Sequence, residues 1–186
     1  MLFLSRVARK EGLLRLVEAF ATIARGDATL DLVIVGPDEG GHRREVEARV
    51  AELGIGNRVR FEGTSAGETK SAWFAHAECF VLPSDDENFG VVVVEAAHLG
   101  APVIVSDQVG LAAEVRAAGA GLVVPREVPA IADAMIEVLG RGRAAYANGL
   151  ARLAGRFAWP RLATELEGIY REVLASQVPP RQTPRA

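Results

Sequence analysis

The residues with the most chemistry in them lie in one run, Pro83-Ser84-Asp85-Asp86-Glu87-Asn88-Phe89-Gly90-Val91-Val92-Val93-Val94-Glu95-Ala96. Polar residues crowd the exit of a short apolar segment, 79–82, Gly90 gives a permissive backbone, and the pattern predicts a helix from near Phe89. The first turn of a helix offers N–H groups without partners and the positive end of the helix dipole, which together suit a phosphate or pyrophosphate. Glu87 and Glu95 bracket that start, with seven residues between them. On a helix rising about 1.5 Å per residue from Phe89, Glu95 would sit about two turns in. The two carboxylates could then grip opposite ends of an extended ligand whose phosphates lie between them. Carboxylates suit sugar hydroxyls because each accepts two O–H bonds in a definite direction.

The elements that must position this run alternate along the chain. Short apolar runs at Leu2–Leu4, 30–35, Val59–Phe61, 79–82, 103–105 and 122–124 are apolar on both parities. Such runs suit strands of a parallel sheet buried on both faces. Between them, Leu13, Leu16, Val17, Phe20 and Ile23 form one helical stripe, and Val46, Val50 and Leu53 a second. Residues 72–77 give a short third helix. Strand and helix in alternation predict right-handed βαβ units. The expected fold is α/β: a Rossmann-like, doubly wound parallel sheet of about six strands with helices on both faces. Ligands of such sheets bind outside the carboxyl ends of the strands. Helical segments follow near 130–139 and 143–154. A last stripe of Leu162, Leu166, Ile169 and Val173 starts at Trp159-Pro160, where proline tolerates a helix start. The expected domains are 1–175 and a disordered, Pro-rich tail over 176–186.

Composition narrows the classes. At 186 residues the chain has the size of a single core, and 49% hydrophobic with 24% charged residues is ordinary globular stock. A net charge of −3 supplies no basic field for nucleic acid. Cys79 alone allows no internal disulfide and no all-cysteine zinc site; it reads as a buried thiol. Arg6, Arg9 and Lys10 follow the apolar start at once, the reverse of a secretory signal, and no transmembrane segment is expected. The chain reads as cytoplasmic. Asp85-Asp86 suits a turn better than a metal site, and the three histidines are far apart, so no metal is expected. The glycines after residue 35 do not form the dinucleotide-binding G-x-G-x-x-G pattern. A core strand beginning at residue 2 leaves two readings open: a chain that starts there, or one that follows a domain removed or encoded separately.

Pro-Ser-x-x-Glu-x-Phe-Gly-x-x-x-x-Glu-Ala, then Gly100-x-Pro102-Val103-Ile104, resembles the signature of retaining glycosyltransferases of family 4, which have the GT-B fold. Other segments resemble that family in the same order: Ser5-Arg6 with Gly12 and Glu18-Ala19-Phe20, the strand and turn ending in Gly36-Pro37, Asn57 to Gly63, Gly110 with Glu114, and Phe157-x-Trp159 through Tyr170. The resemblance implies the donor-binding, C-terminal half of a GT-B enzyme. It assigns Glu87 to hydroxyls of the donor sugar and Glu95 to the ribose. It assigns the backbone at Asn88, Phe89, Gly90 and Val91 to sugar and diphosphate, and Arg6 to the diphosphate leaving group. Gly36 joins the donor-binding set, and base contacts are expected near Gly63 and Thr64. No cofactor is implied beyond the nucleotide diphosphate sugar itself.

Two departures from the family pattern stand out. Its usual lysine before the glycine is Glu11 here, with Lys10 one residue earlier. A glutamate beside a diphosphate opposes the leaving-group charge, which either Lys10 on a shifted turn or Arg6 with Arg9 would offset. The acceptor domain that precedes this half in the family is missing here or carried on another chain. The expected function is therefore donor binding in a retaining, metal-independent hexosyl transfer, with Arg6, Lys10 and Glu87 as the catalytic set and the acceptor unidentified. This half alone would not complete transfer. The alternatives are a non-catalytic nucleotide-sugar-binding module needing a separate acceptor subunit, and a GT-B nucleotide-sugar epimerase.

Overall fold

The computed structural model describes residues 1–177. Six parallel strands, β1 (Leu2–Leu4), β2 (Leu32–Val35), β3 (Val59–Phe61), β4 (Phe80–Leu82), β5 (Val103–Ser106) and β6 (Gly121–Val124), form one sheet in the order β3-β2-β1-β4-β5-β6. The expected Rossmann-like α/β fold is the observed one. Strands β1, β2, β4 and β5 are buried along their whole length, as runs apolar on both parities require. Edge strands β3 and β6 are only partly buried.

Helices α1 (Leu13–Ala24), α2 (His42–Glu52) and α6 (Val128–Arg141) form one layer, in which α1 packs on both others. Helix α3 (Gly67–His76) packs on α4 (Val91–His98), and α5 (Ala112–Ala118) lies against β5 and β6. Every residue of the α1 stripe, from Leu13 to Ile23, is buried. Phe3, Phe20, Phe74 and Phe80 have almost no exposure, and Phe74 meets Phe80 edge-on at 5.4 Å. Burying each such side chain stabilises the fold by about 1.5–3 kcal/mol relative to leaving it in water. Cys79 lies in this core, where burial pushes its thiol up to about 12.

Several boundaries differ from the pattern-based expectation, two of them at the starts of helices that carry Lys70 and Glu95. Helix α3 starts five residues before 72, at Gly67. Helix α4 starts at Val91 rather than Phe89, because Gly90 adopts the left-handed region (φ +90°) and cannot be the helix's first turn. Glu95 is therefore the fifth helical residue, a little over one turn in.

The chain divides into two compact units, Met1–Ala154 and a second from Gly155. The first holds the sheet, α1–α6 and most of α7 (Ala147–Arg156). The second contains α8 (Trp159–Gln177), laced by the pairs Arg161–Glu165 and Glu167–Arg171 at helical spacing. Helix α8 includes Ser176 and Gln177; the rest of the expected tail lies outside the described residues. No helix among the described residues is long and apolar enough to cross a membrane.

Candidate donor site at the meeting of two strand exits

From β1 the chain winds outward to β2 and β3; from β4 it winds the other way to β5 and β6. The chain direction therefore reverses between the β1 and β4 exits, the position at which ligands of doubly wound sheets bind. The β1 exit runs through Ser5 and Arg6 into a tight turn, Arg9–Glu11, and reaches α1 through Gly12. Gly12 has φ +75°, and any side chain there would run into the Pro83 carbonyl. That contact fits glycine alone. Asp85 then donates its N–H to the Lys10 carbonyl at 2.6 Å. Glu11, fully buried, accepts the Ser84 hydroxyl at 2.7 Å. Three contacts thus lock the two exits together.

Charge is unevenly distributed over this junction. Arg6 reaches Glu39, on the loop after β2, at 2.9 Å and stands 3.6 Å from Glu11. Glu39 is brought there by backbone: Val7 donates to the Pro37 carbonyl, and Glu39 donates to that of Val7. Arg9 turns away and pairs with Glu45 of α2 at 2.7 Å. Lys10 is exposed. Burial pushes the Glu11 carboxyl up from 4.5; the Ser84 hydroxyl, Lys10 and Arg6 pull it down, and Glu87 pushes it up. Asp85, beyond, is gripped by Arg15 of α1 and by Arg126 at 3.1 Å.

At the β4 exit, Glu87 folds back on the start of α4. Its Oε1 accepts the N–H groups of Phe89 (3.2 Å) and Gly90 (3.0 Å), where the helix dipole favours a negative charge. Two of the amides assigned to a ligand are therefore taken by this carboxylate in the free chain, and both of its hydrogen bonds go to Oε1. The backbone of Glu87 bonds to Gln108 and Gly110, which fixes the loop against the β5 exit. Asn88 and Val91 are exposed, as is Phe89, while Gly90 is buried against Val109 and Val93. Glu95 pairs with Lys70 of α3, whose Nζ stands 2.6 Å from Oε2 and 2.7 Å from Oε1. Gly36 donates its N–H to the Gly63 carbonyl at 2.7 Å, joining the β2 and β3 exits beside the exposed Thr64. Among the described residues no three His, Cys, Asp or Glu side chains converge as a metal site.

Arg6, Lys10, Glu11, Ser84 and Glu87 are thus brought to one junction. Lys70, Glu39 and Ser84 have roles that the sequence did not suggest. Lys70 reads as an ordinary surface lysine, and only the fold brings it beside a carboxylate 25 residues away.

The profile of the family described as glycosyl transferases group 1 matches residues 1–148. The chain belongs to that family. It is 32% identical to D-inositol 3-phosphate glycosyltransferase 1 of Catenulispora acidiphila over 185 residues, covering 94% of this chain but 44% of that protein. With the D-inositol 3-phosphate glycosyltransferase of Jonesia denitrificans it shares 34% identity over 144 residues, 75% of this chain and 34% of the relative. The chain spans less than half the length of these relatives. Among solved structures, sucrose-phosphate synthase from Thermosynechococcus elongatus superposes with a TM-score of 0.82 at 31% identity, over 95% of this chain and 45% of that one. HepE of Anabaena, in complex with UDP-glucose, superposes with a TM-score of 0.76 at 25% identity, over 94% and 48%.

Proposed function

We propose that this chain is the donor-binding half of a retaining, metal-independent glycosyltransferase that moves a hexosyl group from a nucleotide diphosphate sugar. The observation that carries this reading is the junction of the β1 and β4 exits, where Arg6 stands over the crevice and Glu87 sits at the start of α4. The anomeric carbon loses its bond to the diphosphate oxygen, which keeps the electron pair. Arg6 and Lys10 offset the charge that grows there, the main electrostatic lever available to such a site. The acceptor oxygen bonds to the same face of that carbon, and its proton passes to the departing diphosphate. No protein nucleophile is required. Glu87 keeps Oε1 on the helix amides and accepts a sugar hydroxyl through Oε2. Glu95 exchanges Lys70 for the ribose hydroxyls, with the base near Gly36, Gly63 and Thr64.

A second domain supplies the acceptor, and the chain's coverage of 44% of a relative's length supports that arrangement. The same fact supports the variant in which this module works only with a separate acceptor subunit. The reading places the chain in the cytoplasm. Calorimetry of UDP and GDP binding tests it. Glu95→Ala is expected to weaken nucleotide binding at least tenfold, as loss of charged hydrogen bonds worth about 1.5–3 kcal/mol requires. Glu87→Ala is expected to spare the bare nucleotide and abolish discrimination between donor sugars. Unchanged affinity in Glu95→Ala removes that residue from the site.

A further inference from the structure

Glu11 is the fully buried carboxylate of the crevice, and its two oxygens are treated unequally. Oε2 accepts the Ser84 hydroxyl at 2.7 Å, whereas Oε1 is buried without a hydrogen bond. The cation nearest Oε1 is Arg6, whose Nη2 stands 3.6 Å away while its Nη1 is held by Glu39 at 2.9 Å. One guanidinium therefore already serves two carboxylates. The remaining charged groups that act on Glu11 are Lys10, its exposed neighbour in the same turn, and Glu87 from the β4 exit, which repels it. A diphosphate drawn to Arg6 would add two further negative charges beside a carboxylate that cannot reach water. Lys10, in the same turn, is exposed and forms no ion pair with Glu11 within 4 Å among the described residues, so the turn opposes that added charge only at a distance.

We propose that Glu11 takes up a proton from solvent when the diphosphate of a donor binds, so that this crevice is neutralised by Arg6 and a proton together. The inference rests on the donor-site reading above. The carboxylate becomes a carboxylic acid, Arg6 is released from it to the diphosphate, and the neutral acid can donate its O–H where the anion could only repel. Burial already favours the protonated form in the free chain, and the incoming charge extends that preference. Donor binding thereby acquires a pH dependence in a range where a nucleotide sugar has no proton of its own to exchange.

The test is calorimetric titration of the chain with UDP-glucose at several pH values, in buffers of different ionisation enthalpy. Wild type is expected to take up as much as one proton per ligand bound, and its affinity to fall by as much as about tenfold per pH unit as pH rises past the carboxyl's free-state titration. Glu11→Gln is expected to bind without uptake, to show a flat profile, and to bind more tightly than wild type at pH 8. Binding without uptake by wild type, or equal uptake by both proteins, overturns the inference and leaves the donor reading intact. Absence of binding by wild type overturns both. Should Glu11→Gln fail to fold, the carboxyl 13C resonance of Glu11 in wild type decides the matter. A titration midpoint that rises on addition of UDP-glucose supports the inference, and an unmoved one overturns it.

Discussion

Glu11 and Glu95 are both acidic side chains that face a cation, yet they meet it in opposite ways. Glu95 is partly exposed and holds Lys70 at 2.6 Å, a close pair at the surface end of the site. Glu11 is sealed from solvent, has one hydroxyl partner, and has its cation 3.6 Å away and shared. Distance alone would rank Glu95 as the more tightly held. Burial reverses the ranking of what matters: a partly exposed pair is screened and replaceable, whereas a buried carboxylate retains the full cost of lost hydration. The Glu95–Lys70 pair can thus exchange partners at low cost, whereas Glu11 holds the junction of the strand exits in shape.

That contrast can be broken at three points. The largest effect is expected at Ser84, whose hydroxyl is the sole hydrogen-bond donor to Glu11 among the described residues. Ser84→Ala should cost about 1–3 kcal/mol in chemical denaturation at pH 7, the penalty of an unsatisfied buried acceptor. An unchanged denaturation midpoint would mean that water reaches the carboxylate. The next is the pH dependence of stability. The Glu11 carboxyl is raised above its ordinary 4.5, so the folded state binds its proton more tightly than the unfolded state does. Its favourable contribution is complete below that ordinary value and is lost as pH rises through the folded one. Glu11→Gln should therefore match wild type in thermal melts near pH 4 and gain on it progressively towards pH 8. A constant offset across that range would count against burial as the cause. The smallest effect is expected at Lys70. Lys70→Met should shift stability by less than about 1 kcal/mol, since a partly exposed ion pair contributes little. A larger loss would show that Lys70 braces α3 against α4 rather than merely holding Glu95.

The sheet was legible because strands covered on both faces must be apolar at successive positions, as in Leu2–Leu4, which matches the structure residue for residue. The start of α4 was misplaced by two residues because the pattern Phe89-Gly90-Val91 reads as continuous, whereas the left-handed φ of Gly90 is a property of the folded chain. The placement of Glu87 just before α4 and of Glu95 within it was legible from the apolar pattern around them. The partners of Glu11 were not, because Ser84 lies 73 residues along the chain, and a close charge in the sequence (Lys10) turns outward while a distant hydroxyl turns in. Spacing reports neighbours along one element. Contacts between strand exits depend on topology first.

Between β1 and β4, where the sheet changes winding direction, Leu2 is in register with Phe80 and donates its N–H to the Cys79 carbonyl at 3.0 Å. Just above it, the Gly12–Pro83 approach, the Asp85–Lys10 bond and the Ser84–Glu11 bond fasten the two strand exits to each other. The crevice floor is accordingly the clasp of the two half-sheets. The exposed side chain of Lys10 can change at little mechanical risk, but each change to the clasp itself must first keep the two strand exits joined.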